Sequence, residues 1–156
     1  MPVTRVREIM QEKTVTIAAG DSLSTVEDIM TLGGVRHIPV VHAGKLVGVV
    51  SERDLLRASL SALNEKGIDQ RRAFLHAVEI ARVMSTPPIV IEPDATVENA
   101  ALVMAEKKIG CLPVMEGDEL IGLITEKDIL LYVARFADSQ PETVPVRSRA
   151  RGQREA

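Results

Sequence analysis

Gly48-Val49-Val50-Ser51-Glu52-Arg53-Asp54 and Gly122-Leu123-Ile124-Thr125-Glu126-Lys127-Asp128 are one phrase written twice, about 74 residues apart. The match extends without a gap from Val6–Leu56 onto Ile80–Leu130, pairing Met10 with Met84, Ile17 with Ile91, Met30 with Met104, Pro39 with Pro113 and Leu46 with Leu120. Between the identities apolar replaces apolar, as in Ile38/Leu112 and Val50/Ile124. A gap-free internal repeat of this length points to two like units. Each is roughly 50 residues and too small to be more than marginal alone, so the halves are expected to share a core about a pseudo-twofold axis.

In each copy the hydrophobic period changes in the same order. Val15-Thr16-Ile17 and Ile89-Val90-Ile91 are short β-branched runs that predict strands. Ser22 and Thr96 are candidate N-caps, followed by Val26, Ile29, Met30 and by Ala100, Val103, Met104 at helical spacing. Gly33-Gly34 is expected to end the first of these helices and Lys107-Lys108 the second. Next come two hairpins, turning at His42-Ala43-Gly44-Lys45 and at Glu116-Gly117-Asp118-Glu119, with Pro39 and Pro113 expected to mark strand starts. A helix beginning at Ser51 or Thr125 closes each unit. The order is β-α-β-β-α twice, an α+β fold.

Residues 57–79 carry apolar side chains at helical spacing (Leu60, Leu63; Phe74, Leu75, Val78) and a breaker at Gly67. They read either as a helical hairpin capping the core or as a contact surface for a partner or second subunit. Residues 137–156 hold Arg147, Arg149, Arg151 and Arg154 without an apolar period, and read as a disordered, solvated tail or, alternatively, an arm for nucleic acid or an acidic partner. The resulting divisions are a first repeat over 4–62, a helical linker over 63–79, a second repeat over 80–136 and the basic tail.

Composition narrows the function. The 156 residues include two Phe, one Tyr and no Trp, and carry a net charge of −3. Neither favours a nucleic-acid binder, which needs basic surface or aromatic platforms. One cysteine, Cys111, excludes an internal disulfide and fits a reducing compartment. It reads as a buried small apolar residue or, alternatively, a redox sensor. No apolar run approaches a membrane span, and the start of the chain does not read as a signal peptide, so a cytoplasmic location is expected. The three histidines are scattered, giving no metal-ligand spacing. No nucleophile–base pair or phosphate loop of the Walker type is present.

The chemistry-bearing feature is the strand-to-helix junction. Ser51-x-x-Asp54 and Thr125-x-x-Asp128 are capping boxes, and such a motif alone needs no function beyond starting a helix. The same geometry also offers a phosphate grip: helix N–H groups, a hydroxyl, and a cation in Arg53 or Lys127. The acid one turn in is placed to accept hydrogen bonds from a ribose diol. Gly48 and Gly122 leave room for a ligand or a neighbouring strand.

The doubled Gly-h-h-[Ser/Thr]-x-x-Asp, the apolar-Pro-Val before each hairpin and the lead-ins Val6–Met10 and Ile80–Met84 resemble a pair of CBS (cystathionine-β-synthase) domains, a Bateman module, over Thr4 to Ala134. The resemblance implies two clefts for adenosine-containing ligands (AMP, ADP, ATP, S-adenosylmethionine), with ribose on Asp54 and Asp128, phosphate near Ser51, Thr125, Arg53 and Lys127, and adenine against the backbone of Thr14, Val15, Thr16 and Pro88, Ile89, Val90. It places an apolar wall at His37, Ile38, Pro39 and Cys111, Leu112, Pro113. It also implies a homodimer, an unidentified protein partner, no required cofactor beyond the regulatory nucleotide, and no catalysis. Arg36-His37 stands where the second copy has Gly110-Cys111, so the first cleft is expected to carry extra positive charge and to prefer more phosphates. The alternative is a scaffold module without a ligand.

Overall fold

A computed structural model describes residues 3–66 and 68–135, with the side chains of 63–69 left aside; the basic tail, Leu63 as a packing residue and the breaker Gly67 fall outside the described parts. The first repeat runs β1 (Ile17–Ala18), α2 (Leu23–Gly33), β2 (His37–His42), β3 (Lys45–Ser51) and α3 (Glu52–Lys66), after a short helix α1 (Val6–Ile9). The linker forms α4 (Ile68–Ala77) and a 3₁₀ turn at Ile80–Arg82. The second repeat follows with α5 (Val97–Lys107), β4 (Cys111–Glu116), β5 (Glu119–Thr125) and α6 (Glu126–Arg135). Both hairpins are antiparallel and carry the same irregularity: Val40 pairs with Gly48 but Val41 with Leu46, and Val114 with Gly122 but Met115 with Leu120. One extra residue, Val47 or Ile121, bulges just before each conserved-in-repeat glycine and sharpens the local twist.

The leading strands are shorter than their sequence predicts. β1 begins only at Ile17, parallel to Val40, and in the second repeat Ile91 alone makes the bridge, to Val114. The prolines explain the difference. Pro39 and Pro113 lie third in their strands, inside them rather than at their starts. They face Val49 and Leu123, whose backbone groups point the other way, to Ser85 and Gln11. The proline nitrogen is therefore turned toward the leading strand. There Ile91 N–H donates to Pro113 O (3.0 Å) and Met115 N–H donates to Ile91 O (2.9 Å). One step upstream the ladder would require an N–H that proline lacks, so pairing stops and residues 14–16 and 88–90 stay out of the sheets.

Caps follow the sequence unevenly. Thr96 accepts from the Asn99 N–H at 3.0 Å, but Ser22 Oγ pairs with Ser24 Oγ instead, while the Leu23 N–H donates to Val78 O from the end of the linker. Gly34 and Lys108 end α2 and α5 in left-handed conformation, at φ 63° and 56°.

The two cores each borrow a layer from the other repeat. Ile17, Leu23, Val26, Ile38, Val40 and Val50 of the first repeat enclose Ile80, with Val83 and Met84 packed alongside. Ile91, Ala100, Leu112, Val114 and Ile124 of the second enclose Val6, with Ile9 and Met10 alongside. Backbone pairs fasten both exchanges: Val49 with Ser85 (3.1 and 2.9 Å) and Leu123 with Gln11 (3.0 and 2.9 Å). This crossing fixes Gly48 and Gly122. A Cβ on Gly48 would lie 2.7 Å from both Met84 Sδ and Ser85 O, and one on Gly122 would lie 2.8 Å from Gln11 O and Met10 Sδ. The lead-in segment of the other repeat, not a ligand, occupies that space.

The linker caps the first core. Leu75 of α4 is fully buried there, and Phe74 and Val78 pack against it. Arg71 pairs with Glu27 and donates to Ser59 Oγ, while Arg72 bridges Glu27 and both oxygens of Asp28. Among the described residues no such hairpin lies over the second repeat.

Candidate functional site

The segments before the two hairpins meet at the centre of the molecule. The His37 ring lies so near Gly110 that a Cβ there would be 2.8 Å from Nε2. On either side the helices α3 and α6 begin in the same way. The Glu52 N–H donates to Arg36 O (2.8 Å) and the Glu126 N–H to Gly110 O (3.0 Å). Asp54 Oδ2 accepts from Ser51 N–H (2.8 Å) and Ser51 Oγ (2.9 Å), and the Asp54 N–H donates back to Ser51 Oγ (3.2 Å). Thr125 and Asp128 repeat the pattern at 2.9, 2.9 and 3.4 Å. Both capping boxes are therefore made. At α3 this leaves the N–H of Arg53 as the unpaired donor of the first turn among the described residues, fewer than the sequence alone promises. Asp54 Oδ1 accepts no hydrogen bond among the described residues, so one carboxylate oxygen caps the helix and the other is left for another donor.

Beside that oxygen opens a cleft of about 490 Å³ between the repeats. The first repeat contributes Ser51, Arg53 and Asp54, with Arg36 and His37 at its inner end. The second contributes Pro88, Ile89 and Cys111. These eight of the residues singled out from sequence come together. Val49, Leu56, Ile89 and Ile109 give the cleft an aliphatic side. The volume lies within the range of small-molecule sites.

The remaining candidates lie elsewhere. Ile38 and Leu112 are fully buried in the two cores, and Pro39 and Pro113, which follow them and point to the other face of the strand, are buried as well. Val90 is exposed beyond the cleft. Thr14, Val15, Thr16, Thr125, Lys127 and Asp128 belong to the related position across the pseudo-axis, which this cleft does not include. There the Gln11 side-chain amide reaches both oxygens of Asp128, at 3.4 and 3.3 Å. Ser85, its counterpart, lines the open cleft without bonding Asp54.

Charge is distributed differently from the sequence expectation. Arg36-His37 and Gly110-Cys111 line the same cleft, since they meet at the axis, so their difference does not distinguish one cleft from the other. Burial pushes His37 below the usual histidine range, against the opposing pull of Glu126 and Asp54, so the ring is neutral near pH 7. Arg36 is exposed and faces Glu52 at 3.9 Å. Two further cations also line the cleft: Arg57, which the sequence reading assigned no role, and Lys108, which it took only as the end of a helix. Comparing the repeats position by position would have found them, because Leu131 and Gly34 stand in their places. Burial, with Glu126 adding to it, pushes the Cys111 thiol up to about 12, which makes it an unreactive part of the wall. Among the described residues no group of side chains fits a metal ion, and no helix is long and apolar enough to cross a membrane.

Two β-α-β-β-α units, sharing cores across a pseudo-twofold axis with a polar cleft at their junction, define a tandem-repeat module of the regulatory type. The CBS domain model matches residues 6–61 and 80–135, and the chain belongs to the CBS domain family as a tandem pair. It is 33% identical over 128 residues to inosine-5'-monophosphate dehydrogenase of Korarchaeum cryptofilum, covering 81% of this chain but 24% of the enzyme. Another relative, from Methanocaldococcus jannaschii, is likewise matched over 33% of its length, so the chain spans a quarter to a third of these two proteins. A solved protein named for acetoin utilization, from Vibrio cholerae, is 32% identical with a TM-score of 0.74 over 86% of this chain and 95% of that one. The CBS domain pair of protein MJ0100, solved with 5'-methylthioadenosine and S-adenosyl-L-methionine, is 25% identical with a TM-score of 0.70 over 83% of this chain and 99% of that one.

Proposed function

We propose that this CBS pair is a sensor for an adenosine-containing ligand, held in the cleft at Asp54, and that it transmits occupancy to a protein partner without catalysis of its own. One observation carries the reading: the cleft takes its polar grip from the first repeat, at Ser51, Arg53 and Asp54, and its opposite wall from the second, at Pro88, Ile89 and Cys111. A ligand seated there touches both repeats and stabilises one packing of them, which is a shift of population toward the ligand-bound arrangement. Asp54 Oδ1 receives the ribose hydroxyls, the Arg53 N–H and side chain meet phosphate, and the aliphatic side receives the base. The adenosine ligands of the MJ0100 pair support this choice of ligand class. A homodimer is part of the proposal, with the exposed leucines of α3 (Leu56, Leu60) and α6 (Leu130, Leu131) as candidate contacts. A cytoplasmic location is also part of the proposal.

Thermal melting with AMP, ATP and S-adenosylmethionine tests the reading. A ligand at about 100 times its Kd adds roughly 2.7 kcal/mol, about 5–10 °C for a chain of this size. The shift is expected with at least one of the three and should vanish in Asp54→Ala. The second reading, a scaffold without ligand, draws on the completed capping boxes at Asp54 and Asp128. Unchanged melting with all three compounds at millimolar concentration selects it.

A further inference from the structure

The two junctions have the same caps but different surroundings. Around the open cleft stand Arg53, Arg57 and Lys108, none of which has a carboxylate within ion-pair distance among the described residues. Arg36 is partly answered by Glu52, and Glu126 is the remaining acid on the wall besides Asp54. Unanswered cations gathered around a cavity repel one another and are stabilised by an anion. Lys108 is the telling one. It ends α5 with φ 56°, a conformation that disfavours a side chain, whereas the equivalent position is glycine, Gly34, at φ 63°. A lysine retained where glycine is the unstrained choice places a cation at the cleft against a local backbone cost. Across the axis, Leu131 replaces Arg57, and the Gln11 amide already engages Asp128.

We propose that the two positions are unequal: the Asp54 cleft is the tight site and prefers a ligand with several phosphates, Arg57 and Lys108 binding the phosphates beyond the first, while the Asp128 position is the weak one, its acid held by Gln11. The inference rests on the adenosine reading and specifies its ligand as a nucleoside di- or triphosphate. The aliphatic side takes the nucleoside end, and Arg53, Arg57 and Lys108, spread around the cleft rather than gathered at one point, offer separate contacts to successive phosphates.

Calorimetric titration of the full chain with AMP, ATP and S-adenosylmethionine separates the possibilities. ATP is expected to bind at least tenfold more tightly than AMP. Arg57→Leu and Lys108→Gly, which install the residues of the related position, should each weaken ATP by about tenfold, the loss of one charge-assisted hydrogen bond, and change AMP by less than about threefold. Lys108→Gly relieves the left-handed backbone, so a folding defect does not explain its effect. Asp54→Ala should remove the tight phase and Asp128→Ala should leave it. Gln11→Ser should strengthen any weaker second phase. Equal losses for AMP and ATP, or S-adenosylmethionine binding more tightly than ATP, overturns the polyphosphate inference and leaves the adenosine reading standing. A tight phase that survives Asp54→Ala, or no binding of any of the three, overturns both.

Discussion

Replacing Gly48 by alanine tests the exchanged lead-ins directly. The new Cβ would lie 2.7 Å from Met84 Sδ and 2.7 Å from the main-chain oxygen of Ser85. The methionine sulfur sits on a flexible stem and can move aside. The Ser85 oxygen cannot, because Ser85 is tied to Val49 by two backbone hydrogen bonds of 2.9 and 3.1 Å. Restoring an ordinary contact of at least 3.4 Å requires the lead-in to retreat by about 0.7 Å, which strains packing by about 1–3 kcal/mol. It also stretches that pair of bonds, for a further loss of about 1 kcal/mol. The expected destabilisation is therefore about 2–4 kcal/mol, read as a lower urea midpoint with an unchanged slope. Gly20→Ala is the control: it has nothing within 4 Å and no positive φ, and should be neutral or stabilise by about 0.4–1 kcal/mol. A Gly48→Ala midpoint indistinguishable from that of Gly20→Ala would refute the crossing of Met84 and Ser85 over the first hairpin.

Three further outcomes follow from the packing and the charges. Leu75→Ala, in the linker but fully buried in the first core, should cost about 2–5 kcal/mol in denaturant titration, far more than the same change at an exposed leucine such as Leu60 of α3. The Cys111 thiol should resist a disulfide reagent at pH 8 in the native protein and react promptly in urea; fast native reaction contradicts its burial. The Arg71 hydrogen bond, with Arg72 adding to it, holds the Glu27 carboxyl below the usual carboxylate range, overcoming the opposing effect of burial. A depressed pKa gives stability that is complete above the ordinary range and is lost as pH falls through the folded value. Melting temperature should therefore fall less steeply with acid in Glu27→Gln than in the parent chain.

The repeated phrase at Gly48 and Gly122 revealed the number of units, the order of their elements and both capping boxes, because each depends on residues near in sequence. The exchange of lead-ins was hidden for a physical reason: Val6–Met10 matches Ile80–Met84 equally well whether each segment packs on its own copy or on the other. Pro39 and Pro113 misled as strand starts, since their unusable nitrogen limits a different strand from the one they occupy. Ile38 and Leu112 satisfy the family pattern near the site yet face the cores, and motif matching does not record which face of a strand a residue occupies. Arg57 and Lys108 were legible only as differences between the copies, a signal that the search for shared residues suppresses. His37 looked like charge in the sequence and is neutral in the fold because burial outweighs the neighbouring carboxylates.

The traded layers constrain how the nascent chain matures. While the ribosome has delivered only the first repeat, its hydrophobic interior still lacks Ile80, Val83 and Met84, and Val6 with Met10 has nowhere native to lodge until Ile91 through Leu123 have been made. Neither half can finish ahead of its sibling, so acquisition of the native state waits until the second repeat has been made and is cooperative across the pair.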